Sequence, residues 1–191
     1  LEHQPNHPIA RKGLGKLQNG LPSGQSAQSR LADPSQGQVN VLVNLFHSGQ
    51  MTKAEQACRE LLQIYPQALI IVNILGAALK VQGKLLEALQ TFDRAIQLKP
   101  DYAEAYNNRG AVLNDLGRLE EAVKNYGKAI QLKSDYAEAY NNRGVALGLL
   151  GQSADAVKNY DEAILLKPEY TEAYNNRGKT QVKLGQLEED V

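Results

Sequence analysis

Six residues recur unchanged at one fixed distance. Ala-Tyr-Asn-Asn-Arg-Gly occupies 105–110, 139–144 and 173–178, a spacing of 34 both times. A chain with this period is not built around one central core. Each period is a supersecondary unit that must stack on its neighbours to bury its apolar face. With Ala103 as position one, the units are 103–136, 137–170 and a partial 171–191, and stepping backwards gives 69–102 and 35–68. Position eight is then Gly76, Gly110, Gly144 and Gly178, and position fifteen is Gly49, Gly83, Gly117, Gly151 and Gly185. Position twenty is Ala54, Ala88, Ala122 and Ala156, and position twenty-four is Cys58, Phe92, Tyr126 and Tyr160.

Within a unit the apolar residues fall at helical spacing. Tyr106, Gly110, Leu113 and Leu116 form one stripe, and Ala122, Val123, Tyr126, Ala129 and Ile130 form another. Gly117 stands between the two helices, where a left-handed terminus tolerates no Cβ. Small residues at positions eight, twenty and twenty-seven let the two helices approach closely. Pro100 and Pro168 are expected to end the second helix. Asp101 with Glu104, and Asp135 with Glu138, are expected to form capping boxes for the next one. Cys58 falls at a core position and reads as a small buried hydrophobe.

The pattern resembles the tetratricopeptide repeat (TPR). The resemblance covers 69–191 strongly and 35–68 more loosely, since Leu42 replaces the small residue at position eight. The Trp of the family pattern at position four is Tyr106, Tyr140 and Tyr174 here, and its Leu at position seven is Arg109, Arg143 and Arg177. The resemblance implies an all-α solenoid of antiparallel helix-turn-helix units wound into a right-handed superhelix. It also implies a non-catalytic scaffold for protein or peptide partners. Arg109, Arg143 and Arg177 are expected to pack their stems and form structural ion pairs.

Residues 1–34 are different. They hold four of the seven prolines and no aromatic residue, and they read as a linker. Pro5 to Gly15 also reads as the end of one repeat and the start of another, so the remnant of an upstream helix is the competing view.

Several features imitate chemistry. Gly178-Lys179-Thr180 ends like a phosphate loop, but the glycine that motif needs five residues earlier is Ala173. His3 and His7 have the spacing of a helical metal pair, yet Pro5 lies between them and no third ligand is near. His47 stands alone, so general acid–base chemistry lacks its usual agent. Neither an active site nor a cofactor is expected. The 21 basic residues balance the 21 acidic ones, without the basic footprint of a nucleic-acid binder. No apolar run is long enough to span a membrane, and no signal-peptide pattern opens the chain, so a cytoplasmic location is expected.

Function is therefore expected on a surface. On a helical wheel, positions four, seven, eight, eleven and fourteen of the first helix share one side, and two, five, six, nine, twelve and thirteen share the other. With the first side packed on its partner, the second lines a groove. Asn73, Asn107, Asn141 and Asn175 then form one row, Asn108, Asn142 and Asn176 a second, with Glu104 and Glu138 beside them. A carboxamide donates and accepts, so it can pair with the backbone of an extended peptide whatever its side chains. The second row resembles the asparagine ladder of the superhelix in protein O-linked N-acetylglucosamine transferases. Duplication would preserve the same asparagines without any binding role. The groove reading also requires that Asn107, Asn141 and Asn175 stand open. The basic residues of a carboxylate clamp are missing from positions two, five and six. The alternative function is the substrate-recruiting arm of a larger enzyme, such as a glycosyltransferase, with its chemistry outside this chain. Leu184 and Leu187, left without a covering helix, suggest self-association through the C-terminal helix.

Overall fold

The computed structural model describes residues 33–189. The linker or upstream helix expected over the first 34 residues, and the His3–His7 pair, lie outside the described residues apart from Asp33 and Pro34. Nine helices occur among the described residues. They are α1 (Gln36–His47), α2 (Met51–Ile64), α3 (Leu69–Val81), α4 (Leu85–Leu98), α5 (Ala103–Asp115), α6 (Leu119–Leu132), α7 (Ala137–Leu149), α8 (Ser153–Leu166) and α9 (Thr171–Glu189). Odd-numbered helices are the leading, or A, helices of each unit, and even-numbered ones are the B helices. From α3 onwards every A helix begins at position one of the 34-residue frame, and all four B helices begin at position seventeen. The described residues form an all-α solenoid, as expected.

The hairpin turn rests on one glycine. Gly49, Gly83 and Gly117 sit at φ 73° and Gly151 at φ 78°, a region that L-residues with a Cβ avoid. Past Gly117 the Arg118 N–H donates to the Leu113 carbonyl at 2.9 Å, closing the helix end before the chain reverses. Gly185 does not take this conformation, and α9 runs 19 residues straight through it. The left-handed turn is held elsewhere by a B helix folding back onto its A helix.

Within each hairpin an aromatic ring lies on a glycine. A Cβ added at Gly76 would sit 2.6 Å from the Phe92 ring, at Gly110 2.7 Å from the Tyr126 ring, and at Gly144 2.6 Å from the Tyr160 ring. These rings are buried. The first hairpin inverts the pair: Leu42 is large at position eight and Cys58 is small at position twenty-four, and both are fully buried in one cluster. Volume across the contact is conserved while its sides are exchanged. Burial pushes the Cys58 thiol up to about 12, so a thiolate is not formed at neutral pH.

Two expectations about helix ends are corrected. The N-cap residues of α5 and α7 are Tyr102 and Tyr136, with no side-chain cap bond, so the Asp101 and Asp135 capping boxes do not form. The tyrosines set the start instead. Tyr102 packs on the core, and the ammonium groups of Lys99 and Lys133 stand over the Tyr102 and Tyr136 rings at 5.8 and 4.8 Å. The capping box that does form is at α1, between Ser35 and Gln38. Proline does not set the end of the B helices either. α4 ends at Leu98 before Pro100, and α6 ends at the equivalent Leu132, although Ser134 replaces the proline. Lys99 and Lys133 share nearly the same extended backbone, φ near −142° and ψ 93°.

A buried carboxylate joins the first two units. Glu55 of α2 accepts from Arg59 Nε at 3.0 Å, from Gln82 Nε2 at 2.9 Å and from Lys84 Nζ at 2.7 Å. The Lys84 bond leads in holding its carboxyl down at about 2, against an ordinary 4.5. The contribution is complete above pH 4.5 and is lost as pH falls from there towards 2. Acid melts should therefore show a loss of stability over this window that is smaller in Glu55→Gln. Gly110→Ala should cost about 1–2 kcal/mol in urea melts, overpacking outweighing the gain in helix propensity. In a Tyr126→Leu background the same change should cost nothing.

Candidate functional site

Successive A helices approach one another backbone to backbone, whereas successive B helices do not, α2 and α4 meeting through the Arg59–Glu87 ion pair at 2.7 Å. The A helices therefore line the inner face and the B helices splay on the outer one. Each interior A helix meets its own B helix, the preceding B helix and the two flanking A helices. That enclosure decides where the asparagines stand.

Asn107 and Asn141 are 1% and 0% exposed. The expectation that the position-five row lines an open groove is corrected at these two residues, which lie in the seam between A helices. Asn73 is half-buried and Asn175 is exposed. The seam is tied by a ladder of side-chain amides. Asn108 Nδ2 donates to Asn73 Oδ1 at 2.9 Å, Asn142 Nδ2 to Asn107 Oδ1 at 3.1 Å, and Asn176 Nδ2 to Asn141 Oδ1 at 3.0 Å. Asn141 Nδ2 in turn donates to Glu172 at 3.2 Å. Each rung thus joins position six of one unit to position five of the unit before.

Position thirty-four, which the pattern did not single out, closes the seam. The Tyr136 phenol meets the Asn107 amide and the Tyr170 phenol meets the Asn141 amide. Burial, with Glu138 and Glu104 adding, pushes Tyr136 well above its ordinary range. Tyr170 is pushed up to about 12 by burial and by Glu172. The signal available in the sequence was the Tyr102, Tyr136 and Tyr170 series itself, each three residues after a lysine.

Asn108, Asn142 and Asn176 are only half-buried. Each uses one N–H on the ladder, and among the described residues none of their Oδ1 atoms accepts a hydrogen bond. Glu104 lies 3.6 Å from Lys133, and Lys80 pairs with Asp115 at 3.0 Å, while Glu138 is exposed. Beside Asn176, between α7 and α9, opens a cleft of about 240 Å³ lined by Val145, Gly148, Leu149, Tyr160 and Lys179 among others. Glycine at 148 replaces the Asn114 and Lys80 of the earlier units, so nothing larger covers its floor.

The outer face carries the position-seven side chains in the gaps between B helices. Leu75 forms part of an open cleft between α2 and α4. The Arg109 guanidinium pairs with Asp93 at 2.6 Å and donates through NH1 to Asn125 Oδ1 at 3.0 Å. Arg177 pairs with Asp161 at 2.6 Å. The structural ion pairing expected of these arginines is present at both. Arg143 differs: its position-twenty-five counterpart is Gly127, and it forms no ion pair among the described residues.

No helix among the described residues is long and apolar enough to cross a membrane. No group of three metal-ligating side chains occurs among them.

Stacked helical hairpins with a 34-residue period, closed by a ring on a glycine, define a repeat solenoid of the TPR class. The TPR repeat family model matches residues 76–115, 112–151 and 149–185, more than half of the chain, and the chain belongs to that family. No curated protein matches it in sequence. Among solved structures it is similar in fold to MamA from Desulfovibrio magneticus, at 21% identity and TM-score 0.69, covering 81% of this chain and 88% of that one. It is similar in fold to PilF of Pseudomonas aeruginosa, at 18% identity and TM-score 0.72, covering 78% and 68%. The first TPR of Spaghetti (RPAP3), solved bound to the HSP90 peptide SRMEEVD, matches at 26% identity and TM-score 0.59, covering 61% and 93%. The architecture is that of a protein-interaction scaffold.

The ladder makes a stability prediction. Asn107→Ala should cost about 1–3 kcal/mol in a thermal or urea melt, because the Asn142 amide loses its acceptor in a buried seam. Arg109→Leu should cost about 1–3 kcal/mol, since the half-exposed Asp93 can be hydrated but the buried Asn125 Oδ1 loses its donor.

Proposed function

We propose that the inner face holds a partner protein by an extended peptide segment, gripped mainly through its backbone. One observation carries this reading: the row of Asn108, Asn142 and Asn176, one carboxamide per unit, each fixed by a hydrogen bond to the preceding unit and each keeping an unused oxygen. A side chain already held in place loses little rotamer freedom on binding, which favours the guest. Unused carbonyl oxygens can accept peptide N–H groups whatever the guest's side chains are.

The buried Asn107 and Asn141 serve this reading as positioning residues, orienting the second row. Glu104, Glu138, Asn73 and Asn175 border it. The cleft at Gly148 gives an apolar side chain of the guest a place beside Asn176, on Val145 and Leu149. The RPAP3 complex with the HSP90 peptide is a precedent in this family for a peptide guest.

The test uses peptides selected from a random library on the intact array. Their affinity is then measured by fluorescence anisotropy against an Asn108→Ala, Asn142→Ala, Asn176→Ala triple variant whose fold is checked by circular dichroism. Three lost hydrogen bonds of about 1 kcal/mol each predict a loss on the order of a hundredfold. Unchanged affinity in a folded variant would overturn the proposal.

A further inference from the structure

The outer face is a second place where the units are not equivalent. Successive B helices leave gaps, and each gap is served by three positions: twenty-five of one unit, and seven and twenty-three of the next. Between α4 and α6 these are Asp93, Arg109 and Asn125, and between α6 and α8 they are Gly127, Arg143 and Asn159. Beyond α8, Asp161 and Arg177 repeat the first arrangement.

The scaffolding of the two inner gaps is the same apart from one residue. Asn125 is buried and its Nδ2 donates to the Glu121 carbonyl at 2.8 Å, which aims its Oδ1 at Arg109. Asn159 is buried and its Nδ2 donates to the Asp155 carbonyl, also at 2.8 Å. The arginine and the asparagine are therefore kept in the third gap, and the aspartate alone is missing. Arg143 Nε and Arg109 Nε are both buried without a well-directed hydrogen bond, but Arg109 Nε lies 2.6 Å from Asp93, whereas no ion pair to Arg143 forms among the described residues. A Cβ built at Gly127 would meet nothing within 4 Å. The place from which a carboxylate reaches the arginine in the flanking gaps is open here. The Arg109–Asn125 bond has no counterpart between Arg143 and Asn159 among the described residues, which leaves the Arg143 guanidinium free to meet an arriving acid.

We infer that the gap between α6 and α8 is a carboxylate site, filled by an aspartate or glutamate side chain of a partner protein docked on the outer face. Arg109 with Asp93 and Arg177 with Asp161 serve as internal templates for the contact, an arginine facing a carboxylate at 2.6 Å. A guanidinium desolvated on one edge and lacking its acid gains more from an arriving carboxylate than an exposed one does. The occupant is assigned to a partner because no acid among the described residues pairs with Arg143. The site lies on the face opposite the asparagine row, so an acidic outer partner and an inner guest do not compete.

The test follows the arginine Nε–Hε signals of the full chain by NMR, with Arg143→Lys used to assign Arg143. The probes are sodium acetate and a blocked aspartate, N-acetyl-aspartate N-methylamide, titrated at constant ionic strength against chloride. Both should move the Arg143 signal saturably, in the parent and in Gly127→Ala, while Arg109 and Arg177 stay still. In Gly127→Asp the Arg143 signal should begin displaced and respond to neither probe. That variant should also melt higher than Gly127→Ala, which gains the same helix propensity without the ion pair. A linear drift shared by all three arginines, or a titration that survives in Gly127→Asp, would overturn the site. A response to acetate with none to the blocked aspartate would overturn the protein-borne source.

Discussion

The contact between an aromatic ring and a glycine governs this molecule. Phe92 on Gly76, Tyr126 on Gly110 and Tyr160 on Gly144 set how closely A and B helices approach, because even one methyl group in the contact would overlap the ring. That closeness sends the next A helix against the previous one and leaves the B helices apart. An A helix so placed has neighbours on nearly every side. Its sequence answers with small residues: Ala103, Ala105 and Val112 are buried towards the flanking units, and Gly110 under its own B helix. The inner seam and the outer gaps both follow from this one approach distance.

The seam then raises the question of why it is polar. Buried amides are costly unless satisfied, and the ladder satisfies them: each position-five Oδ1 is met by the next unit's position-six Nδ2. An apolar seam would tolerate sliding of one A helix past the next. The amide rungs do not, since a shift of one turn separates every donor from its acceptor. This gives Asn107 and Asn141 a reason to recur that needs no ligand. Identity across units is therefore no argument for binding. The argument lies in the neighbouring row, whose oxygens the ladder does not use.

Much of this was legible from the period. The hairpin frame and the glycine turns follow from residues 34 apart, as does the exceptional Leu42, whose compensation by the small Cys58 only the packing shows. The burial of Asn107 and Asn141 was not, because a helical wheel divides a helix between one partner and solvent, and an A helix has several partners. Capping failed for a related reason: Asp101 and Asp135 suit a local cap, but the packed Tyr102 and Tyr136 outweigh it and shift the cap position by one residue. The outer ion pairs were half visible. Arginine at position seven was noticed, while its acid lies 16 residues earlier in the chain, a separation that has meaning only once the B helix of one unit is known to lie beside the A helix of the next.

The two faces differ in what repetition allows them to do. On the inner face a rung needs two residues from adjacent units. The last three units keep both asparagines, whereas the second has Ile74 at position six and the first has Val39 at position five, so the three rungs run from Asn73 to Asn176. Along that run the faces differ at positions nine, twelve and thirteen, where Gly148 borders the cleft. On the outer face the B-helix backbones stand apart, and each gap is filled by its own side chains. One gap can lose its aspartate without disturbing another. On the proposed readings, selectivity on the inner face would come from decoration of a shared track, and on the outer face from single units that depart from the rule, of which Gly127 facing Arg143 is the clearest.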